Sequence, residues 1–174
     1  MAVITVIGSL NVDMVTVTSR VPAAGETLKA KSFETGWGGK GANQAVAAAR
    51  TSRKKAASSD SDTKVRMVGA VGNDVFGPQL LRSMADDGID VSGVQTLDGQ
   101  KTGVAVILVE ESGENRILFT AGANFGLTPN MELVRQGDFG DVALFQLETP
   151  MDVVRLSSEY PNNTVPLTLL LGHA

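Results

Sequence analysis

Cysteine is absent from this chain of 174 residues, and that single absence excludes a disulfide framework, a thiolate zinc site and a cysteine nucleophile together. Histidine is almost absent, the one residue being His173 at the extreme C-terminus. Positive charge is not in excess. The formal net charge is −4 with no face-sized basic cluster, which argues against a nucleic-acid partner and for metabolite chemistry. Long apolar runs are missing too. None approaches the ~20 residues that span a bilayer, and Met1-Ala2-Val3-Ile4-Thr5-Val6-Ile7-Gly8 lacks the positive start and the small-residue cleavage site of a secretory signal. The expectation is a cytoplasmic enzyme or binding protein with no membrane partner, in which the sequon Asn162-Asn163-Thr164 carries no glycan because glycosylation requires export. The 43% of hydrophobic residues is enough to fill the core of one domain.

Glycine is where the chain is rich. Gly36-Trp37-Gly38-Gly39-Lys40-Gly41-Ala42-Asn43-Gln44 runs straight into Ala45-Val46-Ala47-Ala48-Ala49-Arg50, a segment with every reason to be helical. Glycines let a ligand approach the backbone, and the first turn of the following helix offers unpaired N–H groups at the positive end of its dipole. The pattern predicts a site for an oxygen-rich ligand. Three readings compete for it. Gly36, Gly38 and Gly41 satisfy the dinucleotide fingerprint, yet the acidic strand end required about 20 residues on falls in Ser58-Ser59-Asp60-Ser61-Asp62, too polar for a buried strand. A P-loop fails because Lys40 is followed by Gly41 in place of Ser or Thr. A glycine turn that merely packs a helix leaves Lys40 and Asn43 at the helix mouth without a purpose.

In chain order, residues 3–7 are a β-branched run closed by Gly8, the pattern of a strand buried on both faces of a parallel sheet. Asn11 and Asp13 follow on one side of the extended chain, where open α/β sheets place ligands; an Asn/Asp turn is the competing reading. Residues 12–18 and 28–33 alternate apolar with polar around Val21-Pro22-Ala23-Ala24-Gly25-Glu26, and 102–110 and 116–120 do so around Ser112-Gly113-Glu114-Asn115. Both are expected to be antiparallel pairs, together a lid over a pocket. Residues 51–64, basic and then Ser/Asp-rich, read as a flexible insertion whose Arg53-Lys54-Lys55 also fits a low-specificity nuclear-localisation pattern. Residues 65–71 and 142–147 are further buried strands, the second closed by the carboxylate of Glu148. A helix running to Asp87 uses Leu80, Leu81, Met84 and Ala85 as core, Thr128-Pro129 opens a short helix, and Thr149-Pro150 caps another from Met151. Repeated βαβ units with two antiparallel insertions make an α/β three-layer domain carrying a lid.

Six blocks in this order and spacing, from Ile4 to about Arg155, resemble the ribokinase family of carbohydrate kinases. They are Gly8-Ser9-Leu10-Asn11-Val12-Asp13, Pro22-Ala23-Ala24-Gly25-Glu26-Thr27, Gly38-Gly39-Lys40-Gly41-Ala42-Asn43-Gln44-Ala45, Gly72-Asn73-Asp74-Val75-Phe76-Gly77, Gly122-Ala123-Asn124 and Gln146-Leu147-Glu148-Thr149-Pro150. The third is similar to ribokinases more than to adenosine or phosphofructose kinases. The resemblance implies a three-layer αβα fold around a parallel sheet and ATP-dependent phosphorylation of the 5-hydroxyl of D-ribose, giving D-ribose 5-phosphate. Residue by residue, it implies that Asn11 and Asp13 bind ribose hydroxyls, that Gly39, Lys40, Gly41 and Asn43 hold others, and that Glu148 reaches the sugar from the neighbouring strand. It also implies ATP, Mg2+ and a monovalent cation (K+), and a homodimer formed through the lid.

The resemblance covers the family's N-terminal half only. The family's general base, an Asp in a Gly-Ala-Gly-Asp element, and its ATP and cation sites belong to a C-terminal half without counterpart in these residues, so no catalytic residue is assigned here. Residues 1–159 are expected to be the sugar-binding part, truncated before that half, with lid strands in about 12–35 and 102–121. Residues 160–174 are expected to be an atypical tail, since Pro161 and Pro166 break the helix and strand due there. The edge of the 142–147 strand is then expected to be bare and the isolated chain to aggregate. Two functions follow: a ribokinase whose isolated chain is inactive, or a sugar-binding or dimerising module without catalysis.

Overall fold

Alternate side chains of a strand point to opposite faces, and β1 (Ala2–Ile7) buries both: Val6 joins a core with Leu10, Ala45 and Met67, Ile7 another with Val68 and Phe145. The computed structural model describes residues 2–52, 63–128, 139–158 and 167–171. In them β1 is the middle of a five-stranded parallel sheet, ordered β5-β4-β1-β8-β9. Its other strands are β4 (Thr63–Gly72), β5 (Asp90–Leu97), β8 (Val142–Gln146) and β9 (Leu167–Leu171). The chain steps outward from β1 through β4 to β5, then returns to the far side of β1, so the order reverses between β1 and β8. Ligands of open α/β sheets sit outside the carboxyl ends at such a reversal.

Small side chains let α1 (Lys40–Thr51) lie close to the sheet: Ala42, Ala45 and Ala49 recur at helical spacing and are buried, beside Leu80 and Met84 of α2 (Gly77–Asp86). The other face is covered by the 3-10 turn Gly122–Gly126, by Leu127 and Phe139, and by Val153 of α3 (Met151–Ser158). The expected three layers are formed. Thr149, expected to cap α3, is instead buried with its hydroxyl unpartnered among the described residues; the Val153 N–H donates to the Pro150 carbonyl at 3.1 Å.

A second sheet, ordered β3-β2-β6-β7, is the lid. The expected antiparallel pairs are present, β2 (Asn11–Thr18) with β3 (Ser32–Gly38) and β6 (Gly103–Glu110) with β7 (Asn115–Thr120). The sheet as a whole is mixed, because β2 and β6 follow the carboxyl ends of two parallel strands, β1 and β5, and pair parallel to each other from Asn11↔Gly103 to Thr18↔Glu110. Strand β3 also starts later than 28–33: pairing along the length of β2 draws the glycines of 36–38 into the ladder, Gly36 opposite Asp13 and Gly38 opposite Asn11.

The edge of β8 is not bare. β9 pairs with it from Val142↔Leu167 to Gln146↔Leu171, a correction to the edge expected to be bare. Leu167-Thr168-Leu169-Leu170-Leu171 is an apolar strand-forming run, and Pro166 precedes it in sequence. Of the insertion expected over 51–64, Thr51 ends α1 and Thr63 and Lys64 open β4, while 53–62, the Thr128-Pro129 helix and residues 159–166 and 172–174 lie outside the described residues. Among those described, no helix is long and apolar enough to cross a membrane.

Candidate functional site

The mouth of α1 is filled from within. A helix leaves the N–H groups of its N-cap and first three residues without intrahelical partners, and here the three after the N-cap Gly39 find acceptors: Lys40 N–H donates to Glu148 Oε2 (3.5 Å), Gly41 N–H to Ser9 Oγ (3.4 Å) and Ala42 N–H to the Ser9 carbonyl (3.0 Å), while Asn43 N–H makes the first helical bond, to the Gly39 carbonyl (2.9 Å). Among the described residues the anion at this mouth is the Glu148 carboxylate, placed where the dipole favours negative charge. Gly39 makes the approach with φ of 95°, and a Cβ on it would stand 2.7 Å from the Ser9 carbonyl oxygen and 2.8 Å from the Asn11 nitrogen.

Glu148 follows β8, across the reversal from the Ser9 that follows β1. Ser9 Oγ donates to its Oε2 at 2.6 Å and Lys40 Nζ pairs with its Oε1 at 2.9 Å. Burial by itself would raise this carboxyl, but the Ser9 hydroxyl and the Lys40 ammonium outweigh it and hold it below its ordinary 4.5. Asp13 is the opposite case. Its carboxylate accepts no hydrogen bond from the described residues, and burial first, then the charge of Glu148, raises it above its ordinary 3.8. It lies over Gly38, where a Cβ would come within 2.1 Å of Oδ2. Asn11 lies on β2 and not in a turn; its Oδ1 accepts from Asn124 Nδ2 at 2.8 Å.

These side chains face a cavity of about 510 Å³, of the size that takes a small metabolite. Of the residues named from sequence, Asn11, Asp13, Gly39, Lys40, Asn43 and Glu148 line it together. Gly41 does not. It sits behind the wall, where a Cβ would meet the Gly8 carbonyl carbon at 2.7 Å, so its role is close packing of α1 on the turn after β1. Beside Asn11 and Asp13, on the same face of the lid sheet, the wall is apolar, with Ala105, Ile107, Ile117 and Phe119, and Phe125 and Leu147 also line the cavity. Sequence reasoning missed Ser9, Asn124 and this wall as parts of the site. Ser9 and Asn124 stood inside two of the quoted blocks, while the wall's only signal was the alternation in 102–110 and 116–120.

Ammonium, amide and carboxylate groups converge here next to hydrocarbon, which suits a neutral polyol ring with a hydroxyl edge and a C–H face. Among the described residues no group of three or more His, Cys, Asp or Glu gathers as a metal site.

The model of the pfkB family carbohydrate kinases matches residues 1–169. The chain is 43% identical over 158 residues to a ribokinase of Schizosaccharomyces pombe, covering 88% of this chain and 48% of that protein. Among solved structures it is similar to a ribokinase of Giardia lamblia, with TM-score 0.82 and 32% identity over 98% of this chain and 51% of that one. It is also similar to an Arabidopsis thaliana ribokinase complexed with ribose and ATP, with TM-score 0.78 and 26% identity over 97% and 53%. The chain spans about half the length of these proteins.

Proposed function

Since the chain belongs to the pfkB family of carbohydrate kinases, we propose that it is the sugar-binding part of a ribokinase, which transfers a phosphoryl group from ATP to the 5-hydroxyl of D-ribose. The observation that carries this reading is the cavity in which the polar groups of Asn11, Asp13, Lys40 and Asn43 stand beside the apolar side chains of Ile107, Ile117 and Phe119. Asp13 is the principal anchor. Its carboxylate accepts from ribose hydroxyls, whereas most acceptor positions of Glu148 are taken by Ser9 and Lys40. Glu148 therefore serves chiefly to hold the Lys40 ammonium and the α1 mouth in place, with Gly39 allowing sugar and backbone to approach. Gly41 acts by packing.

The same geometry supports a division of labour. The α1 mouth has spent its N–H groups on internal acceptors and offers no cradle to a triphosphate. The 174-residue chain by itself is thus proposed to bind ribose without phosphorylating it, because interactions made only in the transition state are what accelerate phosphoryl transfer. The lid supplies a second proposal. Val106 and Leu118 pair on the face away from the cavity, where Leu118 is 74% exposed, and Phe33 is 62% exposed on β3. Apolar side chains on an open sheet favour pairing with a second copy, so the lid is proposed to form a homodimer.

Titration calorimetry with D-ribose and a coupled assay for ADP release test the main reading on the same preparation. Saturable heat with ribose and no ribose-dependent ADP is the expected pair of results. Absence of any binding would remove the sugar-site reading, and turnover by this chain would remove the division of labour.

A further inference from the structure

Asn124 does not line the cavity. It is wholly buried in the 3-10 turn, and its amide is used at both ends: Oδ1 accepts from the Leu10 N–H at 2.8 Å, while the two hydrogens of Nδ2 are shared among Asn11 Oδ1 (2.8 Å), the Ala121 carbonyl (2.9 Å) and, farther off, the Leu10 carbonyl (3.2 Å). The chemistry leaves one orientation. A backbone N–H can only donate, so the atom of Asn124 facing Leu10 N–H is the oxygen, and its nitrogen faces Asn11. That nitrogen can only donate. Asn11 must therefore turn its oxygen inward and its NH2 toward the cavity. The lid makes room for this contact, since a Cβ on Gly103 at the start of β6 would stand 2.2 Å from Asn11 Oδ1 and 2.4 Å from Asn124 Nδ2.

Resting on the sugar-binding reading above, we infer that Asn124 is a positioning residue that sets the donor polarity of Asn11. The site then presents a fixed amide donor two residues from the Asp13 acceptor. It selects a polyol in which one hydroxyl accepts from Asn11 and a neighbouring hydroxyl donates to Asp13. A free Asn11 would rotate its amide and offer either end; the clamped one does not.

The test is a double-mutant cycle on the 174-residue protein, titrated with D-ribose, over Asn11→Ala, Asn124→Asp and the pair. Asp at 124 still accepts from Leu10 N–H but cannot donate to Asn11. Each single variant is expected to weaken binding roughly tenfold, and the double variant to bind no more weakly than Asn11→Ala, because Asn124 acts through Asn11. Losses that simply add would overturn the inference, whatever happens to the melting temperature. Side-chain amide hydrogen exchange by NMR on the unliganded wild-type protein is the second readout, and it needs no variant. The Asn124 NH2 is expected to be protected and the Asn11 NH2 to exchange freely until ribose is added. Protection of the Asn11 NH2 without ligand, or free exchange at Asn124, would overturn the inference. Should wild-type protein bind no ribose, the sugar reading falls separately, and the exchange pattern of the unliganded protein still decides the role of Asn124.

Discussion

Asp13 and Glu148 carry the same functional group in one cavity and titrate in opposite directions, because Glu148 has Ser9 and Lys40 as donors and Asp13 has none among the described residues. Each direction has a consequence with pH. Glu148, depressed in the folded state, contributes stability that is present above about 4.5 and is lost as pH falls through its lower folded value. Glu148→Gln is expected to flatten that acid limb in melts followed from pH 6 down to pH 3. Asp13 is raised in the folded state, so folding gains nothing from its charge, but a ribose hydroxyl donates about twice as strongly to the ionised form. Ribose affinity is therefore expected to fall as pH drops through a value above 3.8. Asp13→Asn should cost about 1.5–3 kcal/mol of binding, the worth of a hydrogen bond to a charged group, with the melting temperature unchanged or raised. Calorimetry and a melt on this one variant check both; a lower melting temperature with intact affinity would make Asp13 structural.

At the scale of elements, the glycines before α1 divide into separate duties. Gly39 has a left-handed backbone pressed against Ser9 and Asn11, so Gly39→Ala is expected to destabilise the fold by about 1–3 kcal/mol in chemical denaturation. Gly38 only clears the Asp13 carboxylate, and Gly38→Ala is expected to displace that side chain and weaken ribose binding roughly tenfold with a smaller effect on stability. The glycine run was legible in the sequence as a site. Its division into the end of β3, the hinge at Gly39 and the buried turn at Gly41 was not, since pairing with β2 and contact with Gly8 decide it. The strands of 3–7, 65–71 and 142–147 were legible from apolar runs, with ends shifted by a residue or two. Strand β5 carries no comparable run and is made by pairing along β4. Strand β9 looked excluded by two prolines, yet both stand before the residues that pair.

For the whole molecule, the pairing of β8 with β9 covers the edge expected to be bare, and the exposed apolar side chains of the lid, Leu118 and Phe33, are the route to association proposed above. Leu118→Asp on the outer face of β7 is expected to convert a dimer to a monomer in sedimentation velocity while ribose affinity stays as in the wild type. That residue faces away from the cavity that Ile117 and Phe119 line. A wild-type protein that is monomeric at all accessible concentrations would sink the lid dimer.

Local chemistry determined much by itself: β-branched runs that become buried strands, an alanine-rich helix after glycines, and the polar residue types placed at strand ends. These properties need no distant partner, because backbone propensity and the period of apolar residues are written within a few positions. Only the tertiary structure decided which anion occupies the helix mouth, which of two carboxylates stays without a donor, and which way the Asn11 amide points. Each depends on groups more than a hundred residues apart, Ser9 with Glu148 and Asn11 with Asn124, brought together where the strand order reverses beside β1. No local pattern encodes that meeting.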